Sequence, residues 1–196
     1  MGYSKTASRI LNLAIAVTAV LGTGVVFAQT QPPNPLEVTA PDPLLPPRER
    51  PLTPLERRRV GEAIADLQTQ ADAQAKAGNY DGAFALWYHQ LRLQRVLGPL
   101  EEVQALARVG GIAWGKNRKA DVQIITQRLA TLQQQQAQKQ KGNLEPALLS
   151  AFAQAYEQVR DIDRTLAIYQ QILANARKQQ DRWKTHWMLL GRVTGS

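Results

Sequence analysis

Four small residues, Ala71, Gly110, Ala153 and Gly191, recur at spacings of 39, 43 and 38 residues. Each lies in a run of apolar residues with helical period. A small residue facing a large one lets two antiparallel helices approach closely. Its recurrence after a helix-turn-helix length marks a helical repeat array. The sharpest instance is Trp187-x-x-Leu190-Gly191. One such unit cannot bury both of its apolar faces, so neighbours must stack.

The helices can be read in order. Thr53-Pro54-Leu55-Glu56 is a helix start, with Thr as cap, Pro in the first turn and Glu reaching back. Val60, Ala63, Ile64, Leu67 and Ala71 follow at helical spacing, and Gly78 supplies a left-handed stop. A second helix runs from about Tyr80 to Leu97, and Gly98-Pro99 breaks it. The third spans about Leu100 to Gly115. The fourth spans about Lys119 to Lys141 and ends at Gly142-Asn143. Its Gln-rich last turns read as a solvated helix end. The fifth runs from about Glu145 to Val159. The sixth runs from Asp163 to Gln179, with Leu166, Tyr169, Ile172, Leu173 and Ala176 on its packed face. A seventh begins near Asp181. No strand pattern follows Pro54. The expected fold is all-α, an α-solenoid of about three and a half antiparallel helix pairs with one concave face, over residues 54–196.

The region before it divides in two. Residues 1–28 read as a signal peptide: Lys5 and Arg9, an apolar run, then Val26-Phe27-Ala28 as a small-residue cleavage site. The competing reading is a membrane anchor, because residues 10–28 approach a bilayer-spanning length. Gly22, Gly24 and the cleavage site favour removal. On either reading the remainder is exported, to a periplasm or another non-cytoplasmic space. Residues 29–53 read as a linker. Nine of the eleven prolines fall between Pro32 and Pro54, and proline excludes both helix and central strand. An extended, semi-rigid spacer is expected, with Leu44 and Leu45 available to pack on the first helix.

The net charge is +8, or +6 without Lys5 and Arg9. The basic residues are interspersed with acids, as in Glu56-Arg57-Arg58-Arg59, which reads as solvated helix faces rather than a nucleic-acid stripe. Cysteine is absent, which excludes disulfides and thiolate chemistry. The two histidines, His89 and His186, are far apart and read as partly exposed helix residues. No metal-ligand spacing occurs, Ser150 has no base near it in sequence, and Val109-Gly110-Gly111 lacks the Lys-Ser/Thr of a phosphate loop. No cofactor, metal site or enzyme activity is expected.

The chain resembles the tetratricopeptide repeat family. The resemblance rests on Trp187-x-x-Leu190-Gly191, on Gly78-Asn79-Tyr80-Asp81-Gly82-Ala83 with Trp87, and on Phe152-Ala153-Gln154-Ala155-Tyr156 with Tyr169. Val109-Gly110 matches least, having Ala113 where an aromatic belongs. The resemblance covers residues 60–196, about 70% of the chain. It is to exported bacterial members with long repeats, and the last repeat stops after its first helix.

That resemblance implies a concave face lined by the first helix of each pair: Gln68, Asp72, Gln104, Arg108, Gly111, Trp114, Ser150, Gln154 and Glu157. Only Arg108 among them is cationic, so capture of a peptide's terminal carboxylate is not expected. Arg108 and Trp114 are the candidate anchors, with packing between pairs as the alternative role for Trp114. The expected function is a non-catalytic scaffold that binds a protein or peptide partner and no nucleic acid. The membrane is a partner only if residues 10–28 stay attached. The alternative is a structural, envelope-associated protein that self-associates through an unpaired last helix, whose Met188, Leu189 and Val193 are apolar.

Overall fold

The computed structural model describes residues 34–37, 41–46 and 50–193, with side chains as far as Arg182. The expected signal peptide lies outside the described residues, as do the side chains of His186 and the Trp187 motif. Among the described residues no helix is long and apolar enough to cross a membrane.

The described elements are six helices and no strand: α1 (Pro54–Lys76), α2 (Tyr80–Arg95), α3 (Pro99–Gly115), α4 (Lys119–Lys139), α5 (Pro146–Gln158) and α6 (Ile162–Val193). The fold of the described residues is therefore all-α. Boundaries follow the local chemistry. Thr53 and Glu56 form a reciprocal capping box at the start of α1, which satisfies two otherwise orphaned amides. Gly78 ends α1 at φ 79°, and Gly142 follows α4 at the same φ. Both take the left-handed conformation that glycine adopts without steric cost.

One correction concerns the last two helices. The separate seventh helix does not exist: the stretch from Ile162 to Val193 is one helix of 32 residues. No Gly or Pro stands between Gln179 and Asp181, and Gln180-Asp181-Arg182 carries no stop signal, so nothing interrupts the turn. The three and a half pairs become three.

α1 packs on α2, α3 on α4 and α5 on α6. Between pairs, α3 packs on α5, α2 on α3 and α4 on α5. The helices share one core, with Trp87, Phe84, Leu106, Ile125, Phe152 and Tyr156 as its largest members. The small residues sit where close approach needs them. A Cβ on Gly110 would fall 2.5 Å from Val159 Cγ1 and 3.3 Å from Ile125 Cγ2. Ala71 and Ala153 are buried.

Two stretches of the proline-rich segment lie against α2. Leu36 is 1% exposed, within the core. Burial of such a side chain contributes about 2 kcal/mol. Arg92 Nη1 donates to Pro35 O at 2.7 Å, and Arg95 Nη2 to Leu36 O at 3.1 Å. Further along, Asp42 Oδ2 lies 2.8 Å from His89 Nε2. Asn34 and Asp42 each accept an amide two residues on, closing local turns.

α6 departs from the expected packing. Ile168 is buried and Ile172 packs beside it, but Leu166, Tyr169 and Leu173 are exposed. The sequence offers apolar residues on more than half of the helix circumference. α5, with 13 residues, covers only one flank.

Candidate functional site

The side chains expected on the concave face do not form one cluster. Gln68 Nε2 donates to Asp72 Oδ1 at 2.7 Å, one turn along α1. Arg108 Nη2 donates to Gln90 Oε1 at 2.8 Å, and Gln90 Nε2 donates to Ile64 O at 3.3 Å. Desolvation lowers the pKa of the Arg108 guanidinium, while the charge of Asp72 acts in the opposite sense. Gln68, Asp72, Gln90 and Arg108 thus form a polar knot between α1, α2 and α3. Gln90 is its buried member, 2% exposed, and fixes the Arg108 head. A buried amide with both ends bonded rigidifies its surroundings. Arg108 is accordingly held in place by Gln90.

Gln104, Ser150, Gln154 and Glu157 are exposed. Ser150 lines a hollow of about 470 Å³ beside the start of α5, with Leu149, Ile172, Asn175 and Lys178. Gly111 faces Gln158, whose Oε1 stands where a Cβ would point.

Trp114 stands apart. It is 51% exposed and lies at a groove of about 800 Å³. The groove runs along α4 past Val122, Thr126 and Ala130, with Lys119 and Arg164 as its charged lining. No acid lines it. Arg164 is held by an ion pair to Asp161 and lies 5.7 Å from the centre of the Tyr156 ring. Asp161 raises the Arg164 pKa, so the guanidinium is a fixed cation. The chemistry of the groove is a hydrophobic floor, one half-exposed indole and two cations. An indole in that setting is a strong anchor for an apolar side chain.

The sequence named Trp114 but not its neighbours. Val122, Thr126 and Ala130 lie on one face of α4, and Arg164 comes from a helix about fifty residues beyond Trp114. No sequence spacing links them, because their juxtaposition depends on how α4 and α6 flank α5.

The Gln-rich end of α4 also does more than meet solvent. Gln133 Oε1 accepts from Tyr156 Oη at 2.8 Å, and Gln136 is buried. Burial pushes the Tyr156 phenol up to about 12.

The chain matches no family model, no curated protein and no solved structure.

Proposed function

We propose that the chain is an exported, non-catalytic scaffold whose helix pairs form a tetratricopeptide-like solenoid that binds a protein or peptide partner. The observation that carries this reading is Trp114, a half-exposed indole at an open groove with Lys119 and Arg164 at its rim. Large exposed aromatics beside fixed Arg groups are the residues that dominate binding energy. The groove's dimensions and lining suit an extended segment with an apolar anchor and flanking acids. The polar knot at Arg108 offers a second, pre-ordered contact on the face of α1 and α3. Export rests on the order of basic, apolar and small residues in positions 1–28.

The test is a peptide-display selection against the folded chain, followed by calorimetry on the peptides recovered. Peptides rich in acids and bearing one large apolar residue are expected. Trp114→Ala should weaken their binding about thirtyfold, as loss of a central aromatic anchor costs roughly 2 kcal/mol. Binding that ignores both Trp114→Ala and Arg164→Glu would count against the groove. Cell fractionation tests export: a chain confined to the cytoplasm would refute it.

A further inference from the structure

The scaffold reading leaves one face of α6 without a role. Ile162, Leu166, Tyr169 and Leu173 are 56%, 55%, 44% and 57% exposed. They are spaced four, three and four residues apart, and Ala176 extends the pattern by three. That spacing is the seam of a helix that packs lengthwise on another helix. The residues are not the core face of α6, which is formed by Thr165, Ile168 and Ile172. Four large apolar side chains in line on a solvent face mark an interaction site rather than scattered surface residues. The helix has the length to use it. Thirty-two residues span about 48 Å, and in sequence the same spacing runs on through Gln180, Trp183, Trp187 and Leu190.

We infer that this seam is a twofold interface, at which α6 pairs antiparallel with α6 of a second copy of this chain. The opposite edge of the helix array cannot cover it. α1 presents Arg57, Arg58, Arg59, Glu62 and Asp66 to solvent, so stacking that edge on the seam buries unpaired charge. The seam, by contrast, is complementary to itself. An antiparallel pairing centred near Gln171 sets Tyr169 across from the partner's Leu173 and Leu166 across from the partner's Ala176, large against small. In that register Asp163 falls two residues, about 3 Å along the axis, from the partner's Arg177, within reach of the long arginine side chain. Both are exposed and lie along one border of the seam. The twofold axis makes that contact twice. Parallel pairing would bring identical residues level and gain no such charge pair. Arg164 lies on the other flank of α6, so the Trp114 groove stays open in the dimer.

Sedimentation equilibrium on the full chain over a wide concentration range tests the inference. A mass twice the 21.8 kDa of one chain is expected, falling toward one chain on dilution. Leu173→Lys should abolish the dimer while leaving the far-ultraviolet circular dichroism unchanged, since Leu173 contributes nothing to the core. Asp163→Arg and Arg177→Asp should each weaken association on the order of tenfold, the contact occurring twice. The double exchange should restore it. A chain that stays at 21.8 kDa throughout overturns the inference. So does a dimer indifferent to Leu173→Lys, which would be held by another part of the chain. A double exchange no better than the single ones rules out the antiparallel register.

Discussion

Glu102 accepts a hydrogen bond from Arg128 Nε at 2.7 Å while only 3% of its side chain meets solvent. The same carboxylate oxygen accepts from Arg95 Nε at 3.2 Å. One buried carboxylate of α3 therefore holds a cation from α4 and another from α2. Arg95 in turn donates to Leu36 O, so the proline-rich segment is tied to the same node. Removing one member of a buried ion pair leaves its partner desolvated and unpaired. Glu102→Gln is expected to destabilise the fold by about 3 kcal/mol, measured as a lower urea midpoint with unchanged slope. A loss of only a few tenths of a kcal/mol would mean the pairs are solvated.

Gly110 tests the close approach of α3 to α4 and to the end of α5. A Cβ there meets Val159 Cγ1 at 2.5 Å, and both neighbours are buried. Gly110→Ala should cost about 1–3 kcal/mol through overpacking, although alanine is the better helix former. Adding Val159→Ala should recover part of that loss. A double-mutant cycle without coupling would show that the helices separate freely.

Tyr88 predicts how stability responds to alkali. Its hydroxyl donates to the Asp121 carboxylate, which Arg118 also contacts. Burial first, then that hydrogen bond, pushes the phenol far above its ordinary value of 10.0. A pKa raised by folding means the neutral form is favoured in the native state. The stabilisation is complete below pH 10 and is lost steadily as pH rises beyond it. Urea midpoints should fall between pH 10 and 11, and Tyr88→Phe should make that decline shallower. Tyr156, raised to about 12, acts in the same sense.

Glu56 governs the acid side of α1. Hydrogen bonds from Arg50, then from Thr53, lower its carboxyl to about 2. A lowered folded pKa gives stability that is present above the ordinary value of 4.5 and lost as pH falls through 2. Protection of the amides at the start of α1, taken relative to their intrinsic exchange rates at each pH, should fall over that window. Thr53→Ala, which removes the cap, should cost about 1 kcal/mol at neutral pH. Equal protection at pH 6 and pH 2.5 would refute the cap's role.

Leu36 decides whether the proline-rich segment stays on α2. Leu36→Ala should cost about 2–3 kcal/mol, read as a lower urea midpoint. An unchanged midpoint would show that the segment is held elsewhere, as through Asp42 and His89.

The sequence by itself determined the all-helical class and most helix ends. Those signals are local: a capping box at Thr53 and Glu56, left-handed glycines at 78 and 142, prolines at 54, 99 and 146 in first turns. It also located Gly110 as a point of close approach, because a small residue amid a bulky stripe has few other uses. Local signals failed at the boundary near Gln179, where a repeat length implied a break that no residue there enforces. Only the tertiary structure decided which face of α6 is buried. Periodicity shows that a helix has apolar flanks, but which flank is covered depends on the short α5 beside it. The same holds for the Trp114 groove and the Glu102 node. Each joins residues from three helices, and burial strengthens pairings that no interval in the chain announces.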